Sequence, residues 1–558
     1  MAPTSNSTTT TTTTTADVPP AFTPPGPGMW NLDRSHYTAG ATPLSQHLME
    51  RTMEVGMRRV FAELGTPTDS LRTRFVNGFM YTRLLPLIGP EKAPRPLPPK
   101  AILKLVARAH PAFRKRAKTA QRTMDTRPWV SVNEQWQKEI RPKVVAENLR
   151  FQSVDVRSLT DAEVDRHVSD LLTHCETNLE LHFWLHGYDL GPIAHFLWRV
   201  ICWGGEPDQA IAALAGASPS TSAPIKHLAR LRAELDRTST SPTSLNHVRA
   251  VSPEAAALLD EHLTAHGDHL VTSYDIDGFT LRELPNTILT SIRDAVVRPA
   301  ADHSMTASTL RAMVPEADKA EFDILLADAR LVMDMRDDNG PTTVEWPLGL
   351  LRLALLEAGR RLHARSYVHT PSHALEVTAD EARNLCSVGG PGADLLAARA
   401  AARKASRLLH PPATLGPVEP TPPLDVLPSP LPDMVAMVQT ALTHMGMDGT
   451  ERADPFAGAG VGSEIYVGKV RKAASAEEAI MSLEPGDVLV VRATSPAFNS
   501  VLSIAGAVVT ADGGVLSHAA VLARELGIAA VVGARGALDL PDGAMVEVNP
   551  MTGHVRLV

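Results

Sequence analysis

Residues 513–533 read GGVLSHAAVLARELGIAAVVG, a pattern that sets a glycine turn, a short helix and a buried strand in immediate succession. Val521, Leu522 and Leu526 recur at helical spacing, and Gly527 stands where a C-cap glycine belongs. The apolar run 528–532 has the length of a buried strand. The turn places His518 in the first helical turn, where unpaired backbone N–H groups and the positive end of the helix dipole favour an anion. A histidine there is suited to carry a phosphoryl group, because the helix end stabilises the arriving charge. Ala519 and Ala520 keep the approach to the ring uncrowded.

Taken alone, a histidine at a helix start is most simply a satisfied side chain. The whole string, however, resembles the phosphohistidine segment of the swivelling domain shared by phosphoenolpyruvate synthase, pyruvate phosphate dikinase and rifampin phosphotransferase. Gly513, Gly514, Ser517, His518, Ala519, Ala520, Ala523, Arg524, Glu525, Gly527, Val531, Val532 and Gly533 carry the resemblance. It implies that His518 is the phosphorylated residue, with Gly513, Gly514, Ser517 and Arg524 supporting the phosphate. One position departs from the dikinase and synthase pattern, which has threonine two residues before the histidine. Here it is Leu516, as in the rifampin phosphotransferase branch, and a hydroxyl open to regulatory phosphorylation is lost.

A chain of 558 residues has room for two or three domains with substantial cores. A net charge of −8 gives no general reason to bind nucleic acid. Cys175, Cys202 and Cys386 are widely spaced, which fits a reducing cytoplasm and no structural zinc. No apolar run approaches the roughly 18 residues of a membrane span.

Residues 1–28 form a Thr- and Pro-rich tail without the basic or apolar segments of a targeting peptide, and read as disordered. A mainly helical region is expected over 29–409. Near its start, Val76-Asn77-Gly78-Phe79 reads as a turn between apolar flanks. The order W-x-L-D-x-x-H followed by V-N-G-x-x-Y also resembles the substrate-binding region of rifampin phosphotransferase-like proteins. Residues 92–127 hold eleven Lys or Arg against the single acid Asp125. Without interleaved aromatics or a nucleic-acid motif, this run reads as a solvated helix face. Thr160 and Glu163 form a capping box that opens a long helix.

Along that helix His182 and His186 lie four apart, and His195 follows. A metal is conceivable on such a face, but no HExxH or suitably spaced carboxylate accompanies it, so these read as packing or cavity-lining histidines and no metal is expected. Residues 261–289 resemble a second substrate-domain block, although Gly267 is followed by Asp268 and His269 where that block has an arginine.

Nine prolines in residues 411–432 mark a semi-rigid spacer within a linker over 410–454. The run Gly458-Ala459-Gly460-Val461-Gly462 lacks the spacing of a nucleotide loop and reads as a flexible hinge. Beyond it, 455–558 alternates six short strands with two helices, one of them opened by a capping box at Ser475. Its size and order match the family's swivelling β/β/α domain, and residues 483–498, LEPGDVLVVRATSPAF, resemble the stretch before the family's histidine turn. The fold expected is therefore α+β multidomain: a large helical substrate domain followed by a phosphohistidine domain.

A phosphohistidine domain needs a donor site and an acceptor site. Only 40 residues follow His518, too few for the TIM barrel of the phosphoenolpyruvate enzymes, and no phosphate loop marks an ATP-grasp module. The pattern resembles the split arrangement of phenylphosphate synthase. It implies that ATP and Mg²⁺ are bound by a separate ATP-grasp subunit, and that His518 passes the group to a small hydroxyl-bearing acceptor. A competing reading is a ligand- or partner-binding protein whose swivelling domain is inert.

Overall fold

The computed structural model describes residues 21–558 apart from 34–35, 38–39, 90, 92–95, 296–303, 445–452, 475, 495–497 and 503. The capping box expected at Ser475 lies outside these residues; the helix after it spans Ala476–Ser482.

The N-terminal region is built on the helix Asp161–Cys202, 42 residues long, and so about 63 Å from end to end. Its start follows from the capping box: the Thr160 amide and hydroxyl both donate to the Glu163 carboxylate, at 2.7 and 2.6 Å. Helices Pro43–Leu64, Lys319–Gly340 and Trp346–Ala364 pack along it and bury a continuous apolar core. Helix Pro43–Leu64 comes unusually close to it. A Cβ built on Gly56 would stand 2.6 Å from the Glu180 carbonyl oxygen, and one on Gly187 would stand 2.2 Å from a Val60 methyl. Gly56→Ala must therefore push two helix backbones apart. It is expected to cost about 1–3 kcal/mol, visible as a lowered thermal midpoint with the far-UV spectrum of the folded state kept.

Four strands close one end of this region in the order β2-β3-β1-β4: β1 (Trp30–Leu32), β2 (Thr68–Val76), β3 (Phe79–Pro86) and β4 (Thr414–Leu415). The turn read at Asn77-Gly78 is the tip of the β2–β3 hairpin, with both residues at positive φ, 52° and 81°. That is the backbone an Asn-Gly pair tolerates and other residues resist. The basic stretch forms helices Lys100–Ala109 and Pro111–Thr126, whose cationic side chains are mostly exposed; Arg116 is buried and donates to the Phe61 carbonyl. The proline-rich spacer is anchored: β4 pairs with β1, and Tyr81 donates to the Pro412 carbonyl at 2.9 Å. The helix Leu431–His444 then packs Leu431, Met434 and Met437 onto the long helix.

The C-terminal domain is a seven-stranded sheet in the order β11-β10-β6-β7-β8-β9-β5. Strands β6 (Tyr466–Lys472), β7 (Val488–Val491), β8 (Ala507–Thr510) and β9 (Ala529–Val532) run parallel. Strands β10 (Met545–Asn549) and β11 (His554–Leu557) add antiparallel beside β6. At the other edge β5 (Ala459–Val461) pairs antiparallel with β9. This corrects the reading of the glycine run as a hinge. Its glycines are required by packing, since a Cβ on Gly460 would lie 1.7 Å from the Pro550 carbonyl oxygen and one on Gly458 2.5 Å from that of Val532. A glycine-rich string looks pliable in one dimension, and only its partners across the sheet reveal the demand for bare backbone. No helix among the described residues is long and apolar enough to cross a membrane.

Candidate functional site

His518 opens the helix His518–Leu526 directly after β8 and its turn. Ser517 is the N-cap, extended at φ −68° and ψ 160°, and its hydroxyl accepts from the Ala520 amide at 3.4 Å. The turn closes through Ser517 N–H donating to the Gly514 carbonyl at 2.8 Å. Gly513 sits at φ +112°, a conformation L side chains rarely adopt, and an added Cβ would meet the Ser517 side chain at 3.0 Å. At the far end Gly527 caps the helix in the left-handed region, φ 64°, as the sequence predicts.

The turn is seated on the helical region. Val515 and Leu516 are buried in the core formed by the long helix and helix Leu431–His444. The Leu516 amide donates to the His444 carbonyl at 2.9 Å, and Arg336 Nη2 donates to the Leu516 carbonyl at 2.8 Å. Glu525, two helical turns past His518, accepts from the Gly216 amide at 2.8 Å.

The His518 ring is fixed through Nδ1, 2.9 Å from the Thr494 hydroxyl. Burial, reinforced by the Arg336 guanidinium, lowers its pKa to about 4, so the imidazole is neutral near pH 7. Arg524 turns its guanidinium back to donate to the Val515 carbonyl at 2.7 Å, and burial lowers its pKa to about 10. In this arrangement Arg524 braces the turn that presents His518.

Gly513, Ser517 and His518 line a cavity of about 1710 Å³ between the C-terminal domain and the helical region; Gly514 and Arg524 stand behind its wall. Apolar walls come from residues such as Leu179, Phe183, Leu228, Tyr274 and Trp346. A five-residue π turn, Pro341–Glu345, interrupts an otherwise continuous helix and contributes to the lining. Such turns are frequent at functional sites because they redirect one side chain out of helical register. Glu345 is buried there, and burial raises its pKa to about 8, so the carboxyl is largely protonated at neutrality.

His182 and His186 line the same cavity, as the sequence reading expected. His182 Nδ1 lies 3.3 Å from the Thr343 hydroxyl, His186 pairs with Asp189, and His195 stacks on Trp198 instead. The three are not gathered around one point. Among the described residues the gathered group is His227, His262 and His266, which the sequence reading passed over. Its signal was available in part, since His262 and His266 lie four apart on the helix Pro253–His266. Arg336 left no local signal, being 180 residues from the turn it touches. Thr494 lay in a stretch noted only for its resemblance.

Comparison with known proteins bears on the C-terminal part most directly. Residues 483–553 match the family model described as PEP-utilising enzyme, mobile domain. Chondramide synthase cmdD of Chondromyces crocatus is 24% identical over 95% of this chain and 14% of its own length. An uncharacterized protein of Mycobacterium tuberculosis is 34% identical over 38% of this chain and 22% of its own. Phosphoenolpyruvate synthase of Aeropyrum pernix is 46% identical over 16% of this chain and 11% of its own. The chain thus spans less than a quarter of the length of these relatives. With the turn, the capped helix and the sheet order in place, the C-terminal domain that carries His518 is similar to the mobile domain of PEP-utilising enzymes over residues 483–553.

Proposed function

We propose that this chain is a phosphotransferase component in which His518 carries a phosphoryl group to a small hydroxyl-bearing molecule held by the helical region. The observation that carries the reading is the position of His518: a neutral, oriented imidazole at a helix start, facing a cavity walled mostly by another domain. An Uncharacterized phosphotransferase YvkC of Bacillus subtilis, 41% identical over 18% of this chain and 12% of its own length, supports the same class of chemistry. Neutral imidazole is a competent nucleophile near pH 7. In loading, a P–N bond forms as the donor's P–O bond breaks. In transfer, the acceptor oxygen takes the phosphorus and the imidazole is regenerated. The cavity exceeds the roughly 300–1,000 Å³ of ordinary small-molecule sites, which suits a bulky acceptor.

ATP and Mg²⁺ belong, in this reading, to a separate ATP-grasp subunit, and the setting is cytoplasmic, in keeping with three unpaired cysteines. The test is reconstitution. With ATP labelled in its β and γ phosphoryl groups and an ATP-grasp partner, the chain should acquire acid-labile, base-stable label; alone it should acquire none. Micromolar ATP binding by the chain on its own, measured by calorimetry, would move the donor site into this polypeptide and overturn the division of labour.

Arg336 gives a finer prediction. It approaches His518 from the helical region and supplies positive charge where the phosphoryl group arrives. Arg336→Met is expected to slow transfer about 10–100-fold in single turnovers started from phosphorylated chain. Loading by the partner should not slow, since Arg336 acts from the helical region and its loss only loosens the turn's seat there.

A further inference from the structure

We propose that His227, His262 and His266 form a binding site for a divalent transition-metal ion, with zinc the fitting choice, on the wall of the cavity that His518 faces. One ring nitrogen from each lies within 4.8 Å of those of the other two. His262 and His266 share a face of helix Pro253–His266, and His227 reaches them from the neighbouring helix Pro219–Arg237, packed against it through Leu228, Leu231, Leu259 and Leu263. The ligands therefore stand on two rigid, mutually buried elements.

A second observation points to a ligand independently. His227 Nδ1, His262 Nδ1 and His266 Nε2 are buried without a hydrogen-bond partner, and His262 is only 2% exposed. An unpaired polar atom in such a place costs on the order of 1–3 kcal/mol. Three of them together, on rings whose centroids lie 5.1 to 6.3 Å apart, are accounted for by one shared partner. A cation answers this need, since with the opposite ring nitrogen protonated each imidazole turns a lone pair to the shared point.

The chemistry selects the ion. Three imidazoles and no thiolate suit zinc and its first-row neighbours and are too soft for magnesium or calcium. Tetrahedral ligands about 2.0–2.1 Å from zinc stand about 3.4 Å apart, so the rings need to close inward by roughly an ångström, within the reach of side-chain rotation. Glu261 Oε1 lies 3.8 Å from His227 Nε2, near enough for the carboxylate to orient the ring through its other nitrogen once a metal is bound. With three protein ligands, the fourth position opens to the cavity, and an oxygen of a bound molecule can occupy it. The expectation that no metal is bound rested on His182, His186 and His195; this site lies on other helices. It stands independently of the phosphoryl-carrier reading.

The experiment uses the full-length chain, stripped with chelator and titrated with Zn²⁺ in competition with a chromophoric chelator, alongside Co²⁺ loading read by visible absorption. One Zn²⁺ per chain with submicromolar affinity is expected, and intense Co²⁺ bands of a four-coordinate site. His262→Ala and His227→Gln should each weaken binding at least about a hundredfold, while His182→Ala and His186→Ala leave it within about threefold. His227 is the less buried ligand, so its variant keeps the test valid if His262→Ala does not fold. Binding absent from the parent chain, unchanged in His227→Gln, or lost in the His182 or His186 variants would overturn the site.

Discussion

His518→Ala is expected to abolish acid-labile labelling of the chain and to lower product formation by at least about 10⁴-fold. The effect should be this large because no other group can take the role. Every nearby element presents the ring: the Gly513 turn, the Ser517 cap, the Thr494 hydroxyl and the Arg524 brace. None of these offers a second nitrogen nucleophile at the same point. The variant should fold normally, since alanine is accommodated at a helix start and the alanines that follow are already small. Residual label in His518→Ala, mapped to another residue, would remove His518 from the proposed pathway.

The second large effect concerns pH and overall stability. Burial lowers the pKa of His518 and of His174 to about 4 and that of His182 well below 6.5. Each of these groups binds a proton in the unfolded chain before it does so in the folded one. Their contribution is thus complete above about pH 6.5 and is lost as pH falls toward 4. Glu345 has the opposite sign. Its folded pKa is raised to about 8, so its contribution is complete below about 4.5 and is lost as pH rises toward 8. Between 4.5 and 6.5 the buried histidines together, His262 and His266 included, oppose the raised carboxyls Glu345 and Asp275, and stability rises; above 6.5 Glu345 acts with His36, whose burial is outweighed by the neighbouring Asp33, and stability falls. Denaturant midpoints should therefore peak near pH 6.5. The alkaline loss from Glu345 should be about 2 kcal/mol, one proton over 1.5 units, and Glu345→Gln should remove it and steepen the acid limb, where the carboxyl no longer opposes the histidines. A midpoint that keeps rising to pH 8 in the parent chain would show that Glu345 is ionised in place.

What was legible in the sequence was what neighbours in sequence decide. The turn at Gly513, the helix from His518 and the cap at Gly527 depend on contacts within 15 residues, and each was read with its boundary. The Asn77-Gly78 hairpin and the Thr160 box were readable for the same reason. The glycine run at 458–462 was misread because its constraint comes from β9 and Pro550, about 70 and 90 residues further along the chain. The site divides along the same line. The place of His518 at its helix start was readable from its own turn, whereas Arg336, Glu345 and the third histidine of the cluster reach the cavity only through the packing of distant helices.

The two ties on Leu516 have a consequence for timing. Both its amide and its carbonyl are claimed by the helical region, and its side chain is buried with them. Besides the Val515 burial and the Glu525–Gly216 hydrogen bond, leaving this seat gives up two hydrogen bonds and one leucine burial, which alone amount to about 4 kcal/mol. That corresponds to roughly one excursion state per thousand seated molecules. In the proposed cycle the domain then behaves as a detent with a preferred stop against the helical region and spends little time adrift between stations. Whatever loads His518 must offer a comparable embrace, so the rhythm of the cycle is set by how well the partner competes for a single turn of backbone.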